Sequence, residues 1–160
     1  MFGLFDIQTI SEVVAAASVV IGVIYYAFEL RHENRTRDTD LVNNLFAFYN
    51  SQEFQEAYGE IMSMDFADYD DFISKNGSAT SKTPLSVALR MVCGFYEQLG
   101  LLYHRRLVDI KLVVELFSVR RPWEKIRPIA IGARKELNQQ DLYEWFEYLY
   151  NEVMKGRLDQ

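Results

Sequence analysis

Residues 13–28 (VVAAASVVIGVIYYAF) form an uninterrupted apolar run that follows Glu12 and precedes Glu29. At the α-helical rise of about 1.5 Å per residue, the wider segment Ile7–Leu30 would extend roughly 36 Å, which is enough to cross a bilayer with some tilt. Three arginines follow it, namely Arg31, Arg35 and Arg37. Because positive charge favours the cytoplasmic side, we predict a membrane helix with its N-terminus outside and everything after Leu30 in the cytoplasm.

Two other interpretations of this run stay open. A cleaved signal peptide carries positive charge ahead of its apolar core, whereas here Asp6 and Glu12 come first and no small-x-small cleavage pattern follows. The other alternative is a buried helix of a soluble domain. Length and flanking charge favour the membrane helix, so the expected location is the cell membrane, crossed once.

The predicted membrane helix has two unlike faces. One face, here called the small-polar stripe, recurs every three to four residues and consists of Gln8, Ser11, Ala15, Ser18, Gly22, Tyr25 and Glu29. The opposite face is largely aliphatic and suits lipid chains. A spacing of 3.5 residues is that of a left-handed coiled coil, and small residues let membrane helices approach closely. We therefore predict that copies of the chain associate through the stripe.

The same spacing continues beyond the membrane at His32, Thr36, Thr39, Asn43 and Phe46. One long helix would then leave the bilayer, or Asp38 or Thr39 would cap a new helix, and both alternatives remain. In either case we expect two parts. Residues 1–37 form the tail, the membrane helix and a basic segment, and residues 38–160 form a cytoplasmic domain.

Composition limits what this domain can do. The chain is 49% hydrophobic and 14% aromatic, which is enough for a packed core. Its single cysteine, Cys93, excludes an internal disulfide and a cysteine-based zinc site, and the apolar neighbours predict a buried thiol. The net charge of −6 argues against nucleic-acid binding. Neither His32 nor His104 has a ligand partner at helical spacing, so no metal or other cofactor is expected.

Apolar residues recur at helical spacing through residues 38–160 and no segment alternates as a strand would, which predicts an all-α bundle. Helix starts are predicted at Ser51, Thr83, Asp109, Pro122 and Asp141. Pro128 is expected to kink or restart the helix that contains it. The acidic, aromatic stretch Asp65–Phe72 carries no helix prediction, and a polar loop follows it at Ser78–Thr83.

The helix from Leu85 to about Arg106 is predicted to be the centre of the core. Its apolar positions are too numerous to face water, and they are Val87, Leu89, Met91, Val92, Phe95, Tyr96, Leu99 and Leu102.

Several motifs of this domain resemble a known family. They are Phe95-Tyr96-Glu97-Gln98-Leu99-Gly100-Leu101-Leu102, Arg105-Arg106-Leu107-Val108-Asp109, Leu116-Phe117, Pro122-Trp123-Glu124-Lys125-Ile126-Arg127-Pro128 and Trp145-Phe146-Glu147-Tyr148-Leu149. The chain is similar to short prokaryotic proteins of unknown function that have one N-terminal membrane helix and a helical cytoplasmic domain. The resemblance implies this architecture and no activity. Family members often have glycine where this chain has Arg106.

Glu97 is the candidate for acid chemistry, because a buried glutamate can have a raised pKa. Structural pairing is the favoured interpretation, and the candidate partners are Arg105, Arg120, Arg121 and Arg127. The sequence has no phosphate-binding loop, no G-x-S-x-G and no Cys–His arrangement. An enzyme is therefore the weakest class of function, and no catalytic residue is assigned.

Charge is unevenly spread, with acidic residues concentrated in 53–71 and basic residues in 105–135. We favour the interpretation that the acidic and the basic residues form two solvated faces, or neutralise each other within the fold, over a role in binding. The alternatives are docking between neighbouring copies, and contact of the basic residues with anionic lipid or phosphate. The candidate residues for contact with lipid or phosphate are Arg31, Arg35, Arg37, Arg120 and Arg121.

Two functions remain. In the first, a membrane-anchored homo-oligomer uses its cytoplasmic bundle as a binding, scaffold or regulatory module, and its partners are its own copies, the bilayer and another membrane or cytoplasmic protein. In the second, the small-polar stripe lines a cation channel, with rings of Ser11, Ser18 and Glu29 and with Glu12 near the outer mouth. Copy number separates the two, because a closed bundle needs few copies and a pore needs more.

Overall fold

A computed structural model of the protein describes residues 21–22, 24–26, 29, 40–77 and 82–158. The chain divides into two compact units, Met1–Leu41 and Val42–Gln160. The regular structure of the described residues is entirely helical, which confirms the all-α prediction. The predicted membrane helix lies largely outside these residues.

The second unit contains helical residues 42–49 and then helices α1 to α6. The bounds of these helices are α1 Gln52–Ser63, α2 Tyr69–Asn76, α3 Pro84–His104, α4 Ile110–Leu116, α5 Arg120–Leu137 and α6 Glu144–Leu158.

Side-chain caps fix three of the predicted helix starts. Ser51, Thr83 and Asp109 each accept a hydrogen bond from a backbone amide two or three residues ahead, at 3.2, 3.2 and 2.7 Å. Pro84 occupies the first turn of α3. Backbone amides in the first turn have no acceptor within the helix, so proline, which lacks the amide hydrogen, loses no helical hydrogen bond there. These predictions are confirmed because capping depends on residues that are close in sequence.

The core forms around α3, which packs against α1 on one side and α6 on the other. Phe95 of α3 lies 4.9 Å from Phe54 and 5.5 Å from Phe117 between ring centroids. Among the described helices, α3 is the one long and apolar enough to cross a membrane, and half of its most apolar stretch is buried within the protein. Its apolar character is therefore explained by its central position in the bundle.

The acidic stretch contributes a helix that the sequence prediction lacks. Asp68 accepts a hydrogen bond from the amide of Asp71 at 2.9 Å and begins α2. Asp70 and Asp71 lie in the first turn, where negative charge favours the helix dipole. Phe72 is buried and anchors the helix.

Two other predicted boundaries are wrong. Helix α5 begins at Arg120 rather than at Pro122. It continues through Pro128, so of the two outcomes predicted there the structure excludes the restart. Pro128 removes one helical hydrogen bond, to the carbonyl of Glu124, while buried Ile126 and Ile129 hold the helix on both sides of it. Helix α6 begins at Glu144, because residues 140–143 form a turn.

The core helix also differs from its prediction in two details. Val87 was expected to be buried but is about half exposed (47%), since the buried stripe of α3 passes through Leu89, Val92 and Tyr96. The helix ends at His104, two residues before the predicted end.

Arg106 lies in the turn that ends α3. Its φ of 59° is in the left-handed region that favours glycine. The amide of Leu107 donates to the carbonyl of Leu102 at 3.0 Å, and that of Arg106 donates to Tyr103 at 2.9 Å. This bonding pattern is a Schellman motif, so the geometry accounts for a preference for glycine at this position.

Candidate functional site at the α3–α6 junction

The FYExLG motif lies where α3 crosses α6. The ring of Tyr96 stacks on Phe146 with 4.5 Å between centroids and 10° between planes. Its hydroxyl donates to the carbonyl of Ser118 at 2.6 Å, which satisfies a buried polar group. Tyr96 therefore ties α3 both to α6 and to the segment between α4 and α5.

Gly100 brings the two backbones together. A β-carbon at this position would lie 2.6 Å from the carbonyl carbon of Trp145 and closer still to its oxygen. Real β-carbons essentially never approach backbone so closely, so the crossing requires glycine. The motif's glycine is thus explained by packing.

Glu97 caps α6 from a different helix. Its two carboxylate oxygens accept the backbone amides of Trp145 at 3.3 Å and Phe146 at 2.9 Å. These amides are in the first turn of α6, where hydrogen-bond acceptors and negative charge are both favourable. Partial burial raises the pKa of the Glu97 carboxyl, while the two amide bonds oppose that shift.

The prediction that one of four arginines pairs with Glu97 is therefore wrong. The hydrogen bonds it makes go to backbone amides, and none of the candidates Arg105, Arg120, Arg121 or Arg127 supplies them. The cation that acts on its pKa is Arg134 of α5, which itself pairs with Glu147 at 2.7 Å. Both oxygens of Glu97 are engaged, so its role here is to position α6.

Cys93 and Tyr143 lie beside Glu97. Cys93 is completely buried, and burial raises the pKa of its thiol well above the usual value. Burial likewise raises the pKa of the Tyr143 hydroxyl, which shares a hydrogen bond with the thiol. A protonated, enclosed thiol is a poor nucleophile, which fits the predicted buried thiol.

A cavity of about 320 Å³ opens between α3, α5 and the turn before α6. Apolar side chains form most of its lining, namely Leu89, Ile129, Ala133, Leu137 and Leu142. Three polar residues complete it, namely Arg90, Gln139 and Tyr143. An apolar pocket with a few polar groups is typical of small-molecule sites.

Tyr143 has an unusual backbone in the wall of this cavity. Its φ is 59°, a conformation that bulky residues rarely adopt. Nothing in the sequence marks this tyrosine, because a left-handed residue is expected at glycine or asparagine. The polar run 138–141 is the one local signal that a turn precedes α6.

The sequence-predicted contact residues lie apart from this cavity. Arg120 is exposed and its Nε donates to Glu124 at 2.7 Å, so its charge is shared within α5. Arg121 is also exposed. Of the small-polar stripe, Gly22, Tyr25 and Glu29 are described, and all are helical and exposed. The remaining predicted residues lie outside the described ones, namely Gln8, Ser11, Glu12, Ala15, Ser18, Arg31, Arg35 and Arg37.

Within the described ranges no group of three or more His, Cys, Asp or Glu side chains could hold a metal ion. His104 packs against Trp145 with 4.5 Å between ring centroids and against Tyr148 at 5.5 Å. Its position is thus accounted for by aromatic packing.

A protein-family model described as a domain of unknown function (DUF4760) matches residues 13–153. No curated protein and no solved structure matches the chain significantly. The family match spans most of the chain and includes the α3 and α6 motifs. It confirms the resemblance to a family of unknown function, and the chain belongs to the DUF4760 family.

Proposed function

We propose that this protein is a single-pass membrane protein that self-associates through its small-polar stripe and presents a cytoplasmic helical domain as a binding module. The N-terminus would lie outside and the C-terminus in the cytoplasm, as the arginines after the apolar run predict.

The exposed apolar surface of the N-terminal unit carries this proposal. Ile21, Ile24, Tyr25 and Tyr26 are helical and are 66%, 51%, 67% and 63% exposed. A helix that presents large apolar side chains on several sides suits lipid or a partner better than water. Tyrosines near the end of an apolar run are typical of the membrane interface.

Gly22 supports association through the stripe. A β-carbon placed on it would meet none of the described residues within 4 Å, so close packing against that part of the chain does not explain the glycine. Glycine weakens a helix by about 1 kcal/mol relative to alanine. Contact with a second copy would offset that effect, since glycine lets membrane helices approach.

The helical domain supports binding rather than catalysis. The carboxylate of Glu97 is engaged by backbone amides and the thiol of Cys93 is buried. The cavity beside them has the apolar lining of a ligand site.

Replacing Gly22 by leucine tests the association. We expect Gly22→Leu to reduce the oligomer size of the detergent-purified protein, while Ala17→Leu on the opposite face leaves it unchanged. The measurement is light scattering coupled to size exclusion, with membrane extraction tested in parallel. Unchanged size in Gly22→Leu, or a chain that stays dissolved without detergent, would refute the proposal. A cation current from the pure protein in bilayers, altered by Glu29→Gln, would instead favour the channel.

A further inference from the structure

The cavity between α3 and α5 has an apolar floor. Leu89, Ile129 and Ala133 form this floor, and they are 1%, 0% and 2% exposed. A water molecule against these side chains would find no polar partner in them, whereas a buried water typically makes about three hydrogen bonds. An apolar group that displaces poorly held water gains affinity. The floor therefore favours the apolar atoms of a ligand.

The opening of the cavity carries leucine side chains beside one exposed amide. Leu137, the last residue of α5, is 36% exposed, and Leu142 is partly buried. A ligand that reaches this edge would cover apolar surface that otherwise faces water, which favours binding. Gln139 is exposed, so its side chain can stay hydrated when the cavity is filled. The opening therefore also favours apolar atoms.

The other polar groups around the cavity are already engaged within the protein. The hydroxyl of Tyr143 shares a hydrogen bond with the buried thiol of Cys93. Arg90 already has an interaction partner, and its positive charge acts on the Tyr143 hydroxyl. The carbonyl of Leu142 accepts from the Nε of Arg134 at 2.8 Å. A charged ligand would lose its hydration and would have to compete for these groups, which disfavours it.

We propose that this cavity binds a small, uncharged, apolar molecule. Its volume of about 320 Å³ is roughly twice that of an apolar cavity that binds benzene, so a ligand of about two fused rings fits. The site would belong to the binding module proposed above, and the inference rests on that role. Failure to bind would leave membrane extraction and oligomer size unchanged, so the two proposals fail separately.

Methyl NMR of the full chain in zwitterionic nanodiscs tests the binding directly. Naphthalene, 1-naphthoate and protonated 1-naphthylmethylamine share one ring system and differ in charge, and empty nanodiscs correct for partitioning. We expect naphthalene to shift the methyl signals of Leu89, Ile129 and Leu142. Both ions should bind at least tenfold more weakly, because the cavity offers a charge too little in exchange for its hydration. No shift of these methyl signals with naphthalene, or an ion that binds within tenfold of it, would overturn the proposal.

A matched pair of variants locates the site. Leu137→Trp should fill the opening and weaken naphthalene binding at least tenfold. Ile131→Trp adds the same side chain to α5 at an equally exposed position (37%) outside the cavity lining, so it should leave the affinity unchanged. Ala133→Leu, which fills the floor, should also weaken binding tenfold and serves if Leu137→Trp fails to fold. Unchanged affinity in a folded cavity variant, or an equal loss in Ile131→Trp, would contradict the assignment.

Discussion

Two helix junctions in this domain use the same pair of residue types, a glycine and a glutamate one turn apart on one helix, yet they differ in what these residues contact. At the α3–α6 junction, Gly100 lies against the backbone of Trp145. Glu97, three residues earlier, binds two backbone amides at the start of α6. Both contacts are made with main-chain atoms, which cannot move without moving the helix.

At the α2–α5 junction the corresponding contacts are made with one side chain. A β-carbon on Gly132 would lie 2.5 Å from Cδ2 of Tyr69 and closer still to other ring atoms. Glu136 accepts a hydrogen bond from the hydroxyl of the same tyrosine. Relieving this contact requires a change of χ1 in Tyr69, because the nearest ring atom is Cγ, which does not move when the ring turns about the Cβ–Cγ bond. That change moves one side chain, whereas a clash at Gly100 has to move a helix backbone, so this junction should tolerate change better. The partner atoms, rather than the residue types, therefore decide how much a junction depends on its glycine and glutamate.

The largest effect should come from Gly100→Ala. The added methyl would clash with the Trp145 backbone, and we expect the free energy of unfolding to fall by about 3 kcal/mol or more. The matched control is Gly94→Ala in the same helix, where nothing lies within 4 Å. That change should raise stability by about 0.5–1 kcal/mol, because alanine favours a helix over glycine. Denaturant unfolding of both variants measures the difference in stability. Equal effects would show that the α3 backbone does not approach Trp145 closely at Gly100.

The two glutamates provide the next contrast. Glu97→Ala leaves two amides of α6 without their acceptor and should lower stability by about 2 kcal/mol. Glu136→Ala removes one exposed hydrogen bond and should lower it by less than about 0.5 kcal/mol. Unfolding midpoints compare the two. A loss at Glu136 that matches the loss at Glu97 would contradict the distinction between main-chain and side-chain partners.

Gly132→Ala should have an intermediate effect of about 1 kcal/mol, because the Tyr69 ring has to move. In a Tyr69→Ala background the same change should be neutral or slightly stabilising, since the clashing ring is gone. A double-mutant cycle measures this coupling. Additive effects would show that the ring does not occupy the space above Gly132.

The last prediction concerns the end of α3. Arg106→Gly should raise stability by about 0.5–1 kcal/mol, because glycine relieves the left-handed backbone at φ 59°. Arg105→Gly is the control, since Arg105 has an ordinary φ of −76°. It should gain nothing. Thermal unfolding distinguishes the two, and a loss at Arg106 would argue against the Schellman geometry.

The sequence predicts the local features of this fold well. The starts at Ser51, Thr83 and Asp109 are confirmed because each cap acts on amides within three residues. Helix α2 was missed although Asp68 and the acidic first turn carry the same signal. There the aromatic and acidic composition obscured a short helix held by a single buried side chain, Phe72.

The site depends on contacts that are distant in sequence, and these could not be predicted. Glu97 was recognised as notable, but its partners are 48 and 49 residues away on a helix whose placement the sequence does not specify. Arginines were the reasonable expectation because carboxylates in a core are often paired with them. The left-handed conformation of Tyr143 is likewise imposed by packing between helices.

The carboxylate of Glu97 caps α6 from α3, and an NMR pH titration of the Trp145 and Phe146 amide protons tests this contact directly. Because partial burial raises the pKa of Glu97, we expect both protons to shift downfield together as the carboxyl ionises, with a midpoint above the ordinary value of 4.5. Glu97→Gln should abolish that transition while leaving other amide titrations in place. Amide shifts that stay flat across this range, or that titrate identically in Glu97→Gln, would contradict the account.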